Sequence, residues 1–119
     1  MDMTTLTSKQ RKFLEKNAQP LSALVQVGGA GLTEEQVKNI SSVIDSHELI
    51  KIKYNFIKSL AAVSEKAEVN ENRDSLDREI SEKTGAVHVR TIGNVAIFYK
   101  PAKKEDDRRF EKELKKLEK

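Results

Sequence analysis

From Val37 the apolar residues fall at Val37, Ile40, Val43 and Ile44, the three-and-four spacing that lines one stripe of an α-helix. Thr33 and Gln36 stand at capping-box spacing just before it, so a helix is predicted over 33–46. Thr7 and Gln10 repeat that spacing, Phe13 and Leu14 follow, and Pro20 lies beyond; a first helix is predicted from Ser8 to about Asn17. Between the two, LVQV at 24–27 reads as a short strand. After the second helix the period changes to two: Ile50, Ile52 and Tyr54 alternate with Lys51 and Lys53, as in a strand buried on one face, with both lysines on the other.

Leu76 and Ile80 mark a third helix, closed by Gly85 just past its end. The stretch from Ile57 to Glu71 is ambiguous. Leu60, Ala61 and Val63 fit a helical turn, Asn70 and Asn72 fit a loop, and it is read as an extended connection. AVHVRTIGNVAIFYK then gives two apolar strands around Gly93-Asn94, a two-residue hairpin with glycine first as a type II′ turn prefers. That turn sets Val89 opposite Phe98 and Arg90 opposite Ile97, with Val87, Val89, Ala96 and Phe98 on one face and His88, Arg90, Ile97 and Tyr99 on the other. From Lys103 the chain is highly charged, with Phe110, Leu114 and Leu117 on a weak stripe; a charged C-terminal helix or tail is expected. The order α-β-α-β-α-β-β predicts a compact α/β sandwich, a four-stranded mixed sheet with helices packed on it. The connection through the second helix suits a parallel, right-handed βαβ crossover, and the last two strands are antiparallel. Strand order stays open. Residues 1–102 form the expected domain and 103–119 its C-terminal helical tail.

Composition narrows the chemistry. The 119 residues include no cysteine, which excludes disulfides, cysteine-ligated zinc and thiol catalysis. No apolar run approaches a membrane span and the N-terminus lacks a signal-peptide pattern, so a cytoplasmic protein is expected. The net charge of +3 says less than its distribution. Lys9, Arg11, Lys12 and Lys16 face only Glu15. Lys51, Lys53 and Lys58 form a second basic group, and Arg90, Lys100, Lys103 and Lys104 a third. Residues 65–82 are instead rich in Glu and Asp. A polarised field with one basic side suits an anionic polymer; the plainer account of the acidic stretch is a solvated helix face.

Gly28, Gly29, Ala30 and Gly31 sit between the LVQV strand and the helix that starts near Thr33. Two readings are open: a tight strand-to-helix turn, or a loop that lets a phosphate approach main-chain N–H groups beside a helix N-terminus, as the GxxG loop of KH domains does. The segments LTSKQRKFLEKNAQPL, VQVGGAGLT, HELIKIK and GAVHVRTIGNVAIFYK, in this order, resemble the CRM domain (chloroplast RNA splicing and ribosome maturation), above all its free-standing bacterial YhbY-like form. The resemblance spans about residues 6–101. It implies a fold like the C-terminal domain of translation initiation factor three, RNA binding, association with large-subunit ribosomal precursors, and no cofactor. It carries the loop onto Gly28, Gly29, Ala30 and Gly31, and the basic first helix onto Lys9, Arg11 and Lys12. Lys51, Lys53, Arg90 and Lys100 complete the candidate RNA surface. The chain departs from the family in having no Lys or Arg between the glycines, and in a long connection between Tyr54 and Arg73.

Two histidines and the acids of 65–82 form no triad and no metal-ligand spacing, so no enzyme, no metal and no cofactor are expected. His47 fits a helix C-terminus. A non-enzymatic, monomeric RNA-binding protein is the expectation. The rivals are a protein-interaction module using the acidic helix and charged tail, and a general RNA chaperone.

Overall fold

The computed structural model describes residues 6–28, 32–55 and 66–117. Helix α1 (Ser8–Ala18) opens with a reciprocal capping box. Thr7 Oγ1 accepts from the Gln10 N–H at 3.1 Å, and Gln10 Oε1 accepts from the Thr7 N–H at 2.9 Å. β1 (Val25–Val27) leads through the glycine segment to α2 (Glu34–His47). Only half of the second expected capping box forms. Thr33 Oγ1 accepts from the Gln36 N–H at 3.2 Å, but the Gln36 side chain donates to the Gln26 carbonyl at 3.0 Å, tying the start of α2 to β1. β2 (Leu49–Tyr54), α3 (Lys66–Thr84), β3 (Val87–Ile92) and β4 (Val95–Tyr99) follow, then a short 3₁₀ turn (Glu105–Asp107) and α4 (Glu111–Lys116).

The strand order is β1-β2-β4-β3. β1 and β2 are parallel, as the helical crossover between them requires, and the other two pairs are antiparallel. Helices cover both faces of the sheet, leaving only its hairpin end open on one side. Ile40 and Ile44 of α2 and Leu76 and Ile80 of α3 cover Val25, Val27, Ile50, Ile52, Tyr54, Ala96 and Phe98. Leu14 and Ala18 of α1 and Leu114 of α4 cover Leu49, Val87, Val89, Ile97 and Tyr99. Phe13 and Phe110 meet edge to face at the margin of this second layer. Each fully buried large side chain contributes about 1.5–3 kcal/mol by leaving water, so the three-layer arrangement accounts for the alternation in β2 and for the apolar run in β4.

Two expectations are corrected. The third helix begins at Lys66, so residues 66–71 are not an extended connection; residues 56–65 lie outside the described residues. Asparagine disfavours a helix by less than about 1 kcal/mol, and a helix anchored by Leu76 and Ile80 gains one hydrogen bond for each residue added. In the hairpin, Arg90 does pair with Ile97, but Phe98 faces His88 and Tyr99 faces Val87, because β3 has a bulge between His88 and Arg90. The extra residue, Val89, puts Val87 and Val89 on the α1 side with Ile97 and Tyr99. His88 turns to the other side, where its ring meets Phe98 edge-on and its Nε2 lies 2.7 Å from Thr91 Oγ1 and 3.3 Å from Asp77 Oδ2. Burial, which outweighs the attraction of Asp77, holds the His88 pKa below its ordinary value. Gly93 takes φ 61 and Asn94 has no positive φ, the pattern of a type II′ turn. Gly85, at φ 76, ends α3.

Candidate nucleic-acid interface

Cross-strand register assembles the basic residues on the α1 side of the sheet. Lys51 pairs with Ile97, and Ile97 with Arg90, so the three share one row across β2, β4 and β3. The next row, toward the hairpin turn, runs Gln26, Lys53, Val95 and Ile92. Helix α1 crosses the same side. Its inner face buries Gln10, Leu14 and Ala18, while Lys9, Lys12 and Lys16 are exposed at i, i+3 and i+7, a single stripe. No ion pair among the described residues involves Lys9, Lys12, Lys16, Lys51 or Lys53. Lys51 Nζ donates instead to the Gln19 carbonyl at 3.2 Å, and Arg90 pairs with Glu15 at 2.8 Å in an exposed contact, of the kind that adds little stability.

Not every candidate residue joins this surface. Arg11 is half-buried, its guanidinium donating to the Val89 carbonyl at 2.7 Å; it satisfies the acceptor at the bulge. Lys100 lies past the opposite end of β4, with Nζ 3.1 Å from the Thr84 carbonyl and 3.6 Å from Asp45, at the C-terminus of α3 where a cation is favoured. Gly29, Ala30 and Gly31 lie outside the described residues. Gly28 follows Val27, which pairs with Tyr54, so Gly28 leaves the sheet one position past the Lys53 row, and the Asn94 carbonyl of the hairpin turn accepts from the Tyr54 N–H at 2.7 Å. A Cβ at Gly28 would meet nothing within 4 Å, and its φ is not positive. Neither backbone conformation nor internal crowding demands glycine there.

The sequence reading did not pick out Ile92, Gln19 or Glu15. With Lys51, Val95 and Ile97 they line a groove of about 250 Å³ between α1 and the uncovered end of the sheet. The two-residue turn already places Ile92 opposite Val95; what hid the groove was the packing of α1 against the sheet, which brings Glu15 and Gln19 beside these strands and is not set by local sequence. Among the described residues no cluster of His, Asp or Glu could hold a metal ion, and no helix is long and apolar enough to cross a membrane.

An α/β sandwich whose exposed lysines gather on the α1 side of a mixed sheet presents a basic face of the kind that attracts an anionic polymer. The comparisons give the family: residues 6–100 match the CRS1 / YhbY (CRM) domain, and the chain belongs to that family. An RNA-binding protein of Haemophilus influenzae is 35% identical over 100 residues, 84% of this chain and 90% of its own length. Bacillus subtilis YqeI, named a probable RNA-binding protein, is 30% identical over 98 residues, 82% of this chain and 91% of its own. The solution structure of a hypothetical Staphylococcus aureus protein shares the fold, with a TM-score of 0.66 at 23% identity, covering 88% of this chain and 98% of the other.

Proposed function

We propose that the chain is a non-enzymatic RNA-binding protein that grips the phosphates of structured RNA, and that its RNA belongs to precursors of the large ribosomal subunit. The observation that carries the RNA reading is the row Lys51–Ile97–Arg90, with Lys53 beside it and the α1 lysine stripe on the same side of the sheet. The names of the relatives support it. Gly28 supports a role for Gly28, Gly29, Ala30 and Gly31 as a backbone clamp, since among the described residues nothing lies within 4 Å of where its Cβ would be. The ribosomal partner rests on the resemblance to the free-standing bacterial CRM proteins. On this reading the protein acts in the cytoplasm as a monomer and needs no cofactor.

Affinity for a structured RNA fragment, measured as a function of salt, tests the phosphate grip. For Z neutralised phosphates, log K falls against log salt with a slope of about −0.7Z to −0.9Z. Replacing Lys51 and Lys53 together by Ala is expected to weaken binding and flatten the slope, with thermal stability little changed because neither side chain is in the core and the bond from Lys51 to the Gln19 carbonyl is exposed. A parent whose binding ignores salt would falsify the reading. Comigration with free large-subunit precursors on a sucrose gradient is expected for the ribosomal role. A groove of about 530 Å³ between α3 and β3, lined by Asp74, Asp77, Glu82 and Arg78 among others, favours a protein partner as the second reading; association that survives nuclease would select it.

A further inference from the structure

We infer that the groove between α1 and the open end of the sheet seats one unpaired nucleobase of the bound RNA, with the rim lysines on the flanking phosphates; this rests on the RNA-binding reading above. The floor of the groove is apolar. Ile97 is buried, Val95 partly so, and Ile92 stays 54% exposed, a large aliphatic surface at a strand position that none of the described residues covers. The wall is polar and acidic: Glu15, whose Oε1 accepts from Arg90, and Gln19, whose carbonyl accepts from Lys51. A carboxylate there disfavours a phosphate inside the groove and accepts from the exocyclic amine of a base. Lys51, which also lines the groove, has its Nζ engaged by the Gln19 carbonyl, and the other cations stand outside, Lys12 and Lys16 flanking Glu15 on α1 and Lys53 beside Val95. Charge therefore sorts a nucleotide into base within and phosphate without. A duplex cannot meet this arrangement, because its bases are stacked on both faces and paired along their edges, whereas an unpaired base can lay one face on an apolar floor. The volume of about 250 Å³ is below that of pockets for drug-sized ligands, in keeping with a single base.

Two variants of the full chain test this, with titrations at several salt concentrations. Ile92→Ala is expected to lower affinity for a short single-stranded oligoribonucleotide by about three- to tenfold through lost apolar contact, to leave the salt slope intact, and to leave affinity for the same sequence annealed to its complement unchanged. Ile92→Trp introduces the chain's one tryptophan. Its fluorescence is expected to be quenched by the single strand and not by inorganic polyphosphate, which carries the charge without the base. The groove assignment is overturned if parent and Ile92→Ala bind the single strand alike, or if polyphosphate quenches as well as RNA. Quenching that rises with protein concentration in the absence of RNA also overturns it, by making a second copy of the chain the occupant. In each of these cases the phosphate grip stands. Failure of the parent to bind any RNA at low salt removes both readings together.

Discussion

Tyr54 and Tyr99 are both fully buried, and their hydroxyls meet different surroundings. Tyr54 donates to Asp77 Oδ1 at 2.5 Å, while Thr91 Oγ1 donates to Asp77 Oδ2 at 2.8 Å, so one carboxylate of α3 fastens both β2 and β3. Burial, reinforced by the Asp77 charge, pushes the Tyr54 hydroxyl far above its ordinary pKa, and it remains a donor at any working pH. The Tyr99 hydroxyl is buried with no hydrogen-bond partner among the described residues, close enough to feel Glu48 and Glu111, and burial raises its pKa as well. Hydrogen bonds to charged groups contribute about 1.5–3 kcal/mol, whereas removing an unsatisfied buried polar atom is neutral or favourable. Tyr54→Phe is therefore expected to destabilise by about 1.5–3 kcal/mol and Tyr99→Phe to be neutral or to stabilise by about 1 kcal/mol. Urea unfolding of the two variants beside the parent decides it. Equal losses for both would show that the Tyr99 hydroxyl is satisfied in solution.

At the scale of elements, one residue joins three of them. Glu48 ends α2 at φ 63 and ψ −49, the one non-glycine among the described residues with positive φ, and leads directly into β2. Its carboxylate, 1% exposed, accepts from the Ala102 N–H at 3.1 Å and the Arg109 N–H at 2.7 Å. Its carbonyl accepts from the Lys100 N–H at 2.8 Å. A glutamate held in so sparsely populated a conformation costs about 1–3 kcal/mol, which these contacts offset. Glu48→Gln turns one acceptor oxygen into a donor facing an N–H, and is expected to cost about 1.5–3 kcal/mol. Amide exchange at Ala102 and Arg109 should accelerate before that of the sheet; unchanged exchange at both would mean the carboxylate is not the clamp. Glu48 was invisible in the sequence because a charged residue at a helix end reads as solvated. By contrast the capping residues Thr7, Gln10 and Thr33 and the alternation in β2 were legible, since each depends on neighbours within a few positions. The bulge at Val89 was not, because the α1 core that receives Val87 and Val89 and the Arg11 side chain that satisfies the freed carbonyl come from the other end of the chain. The candidate site divided the same way. Alternation put Lys51 and Lys53 on one face, yet it took tertiary structure to bring Arg90 into their row and to engage Arg11 and Lys100 elsewhere.

Across the whole molecule, charge separates by side rather than by amount. Lys9, Lys12 and Lys16 stand exposed on α1, while α3 on the opposite side exposes Asp74 and Glu82. A molecule polarised in this way turns its basic side toward a polyanion as it approaches, so the placement of charge governs the encounter more than its total. Two triple variants with the same net charge separate these effects. Lys9, Lys12 and Lys16 replaced by Gln lose three positive charges, as many as the whole net excess of +3. Lys38, Arg78 and Lys83, exposed on α2 and α3, lose the same number when replaced by Gln. Both variants should fold with stability within about 1 kcal/mol of the parent, since all six side chains are exposed and last-turn cations and surface ion pairs such as Lys83–Glu79 contribute little. The α1 variant is expected to associate with RNA more slowly at low salt and to lose about 0.7–0.9 from the magnitude of the salt slope for each phosphate contact removed. The α2/α3 variant should keep the parental slope and associate no more slowly, because its lost charges lie behind the approaching face. Stopped-flow association rates together with equilibrium titrations at several salt concentrations read both quantities. If the two variants slow association and flatten the slope equally, net charge alone draws the RNA in, and the α1 side of the sheet is not where it lands.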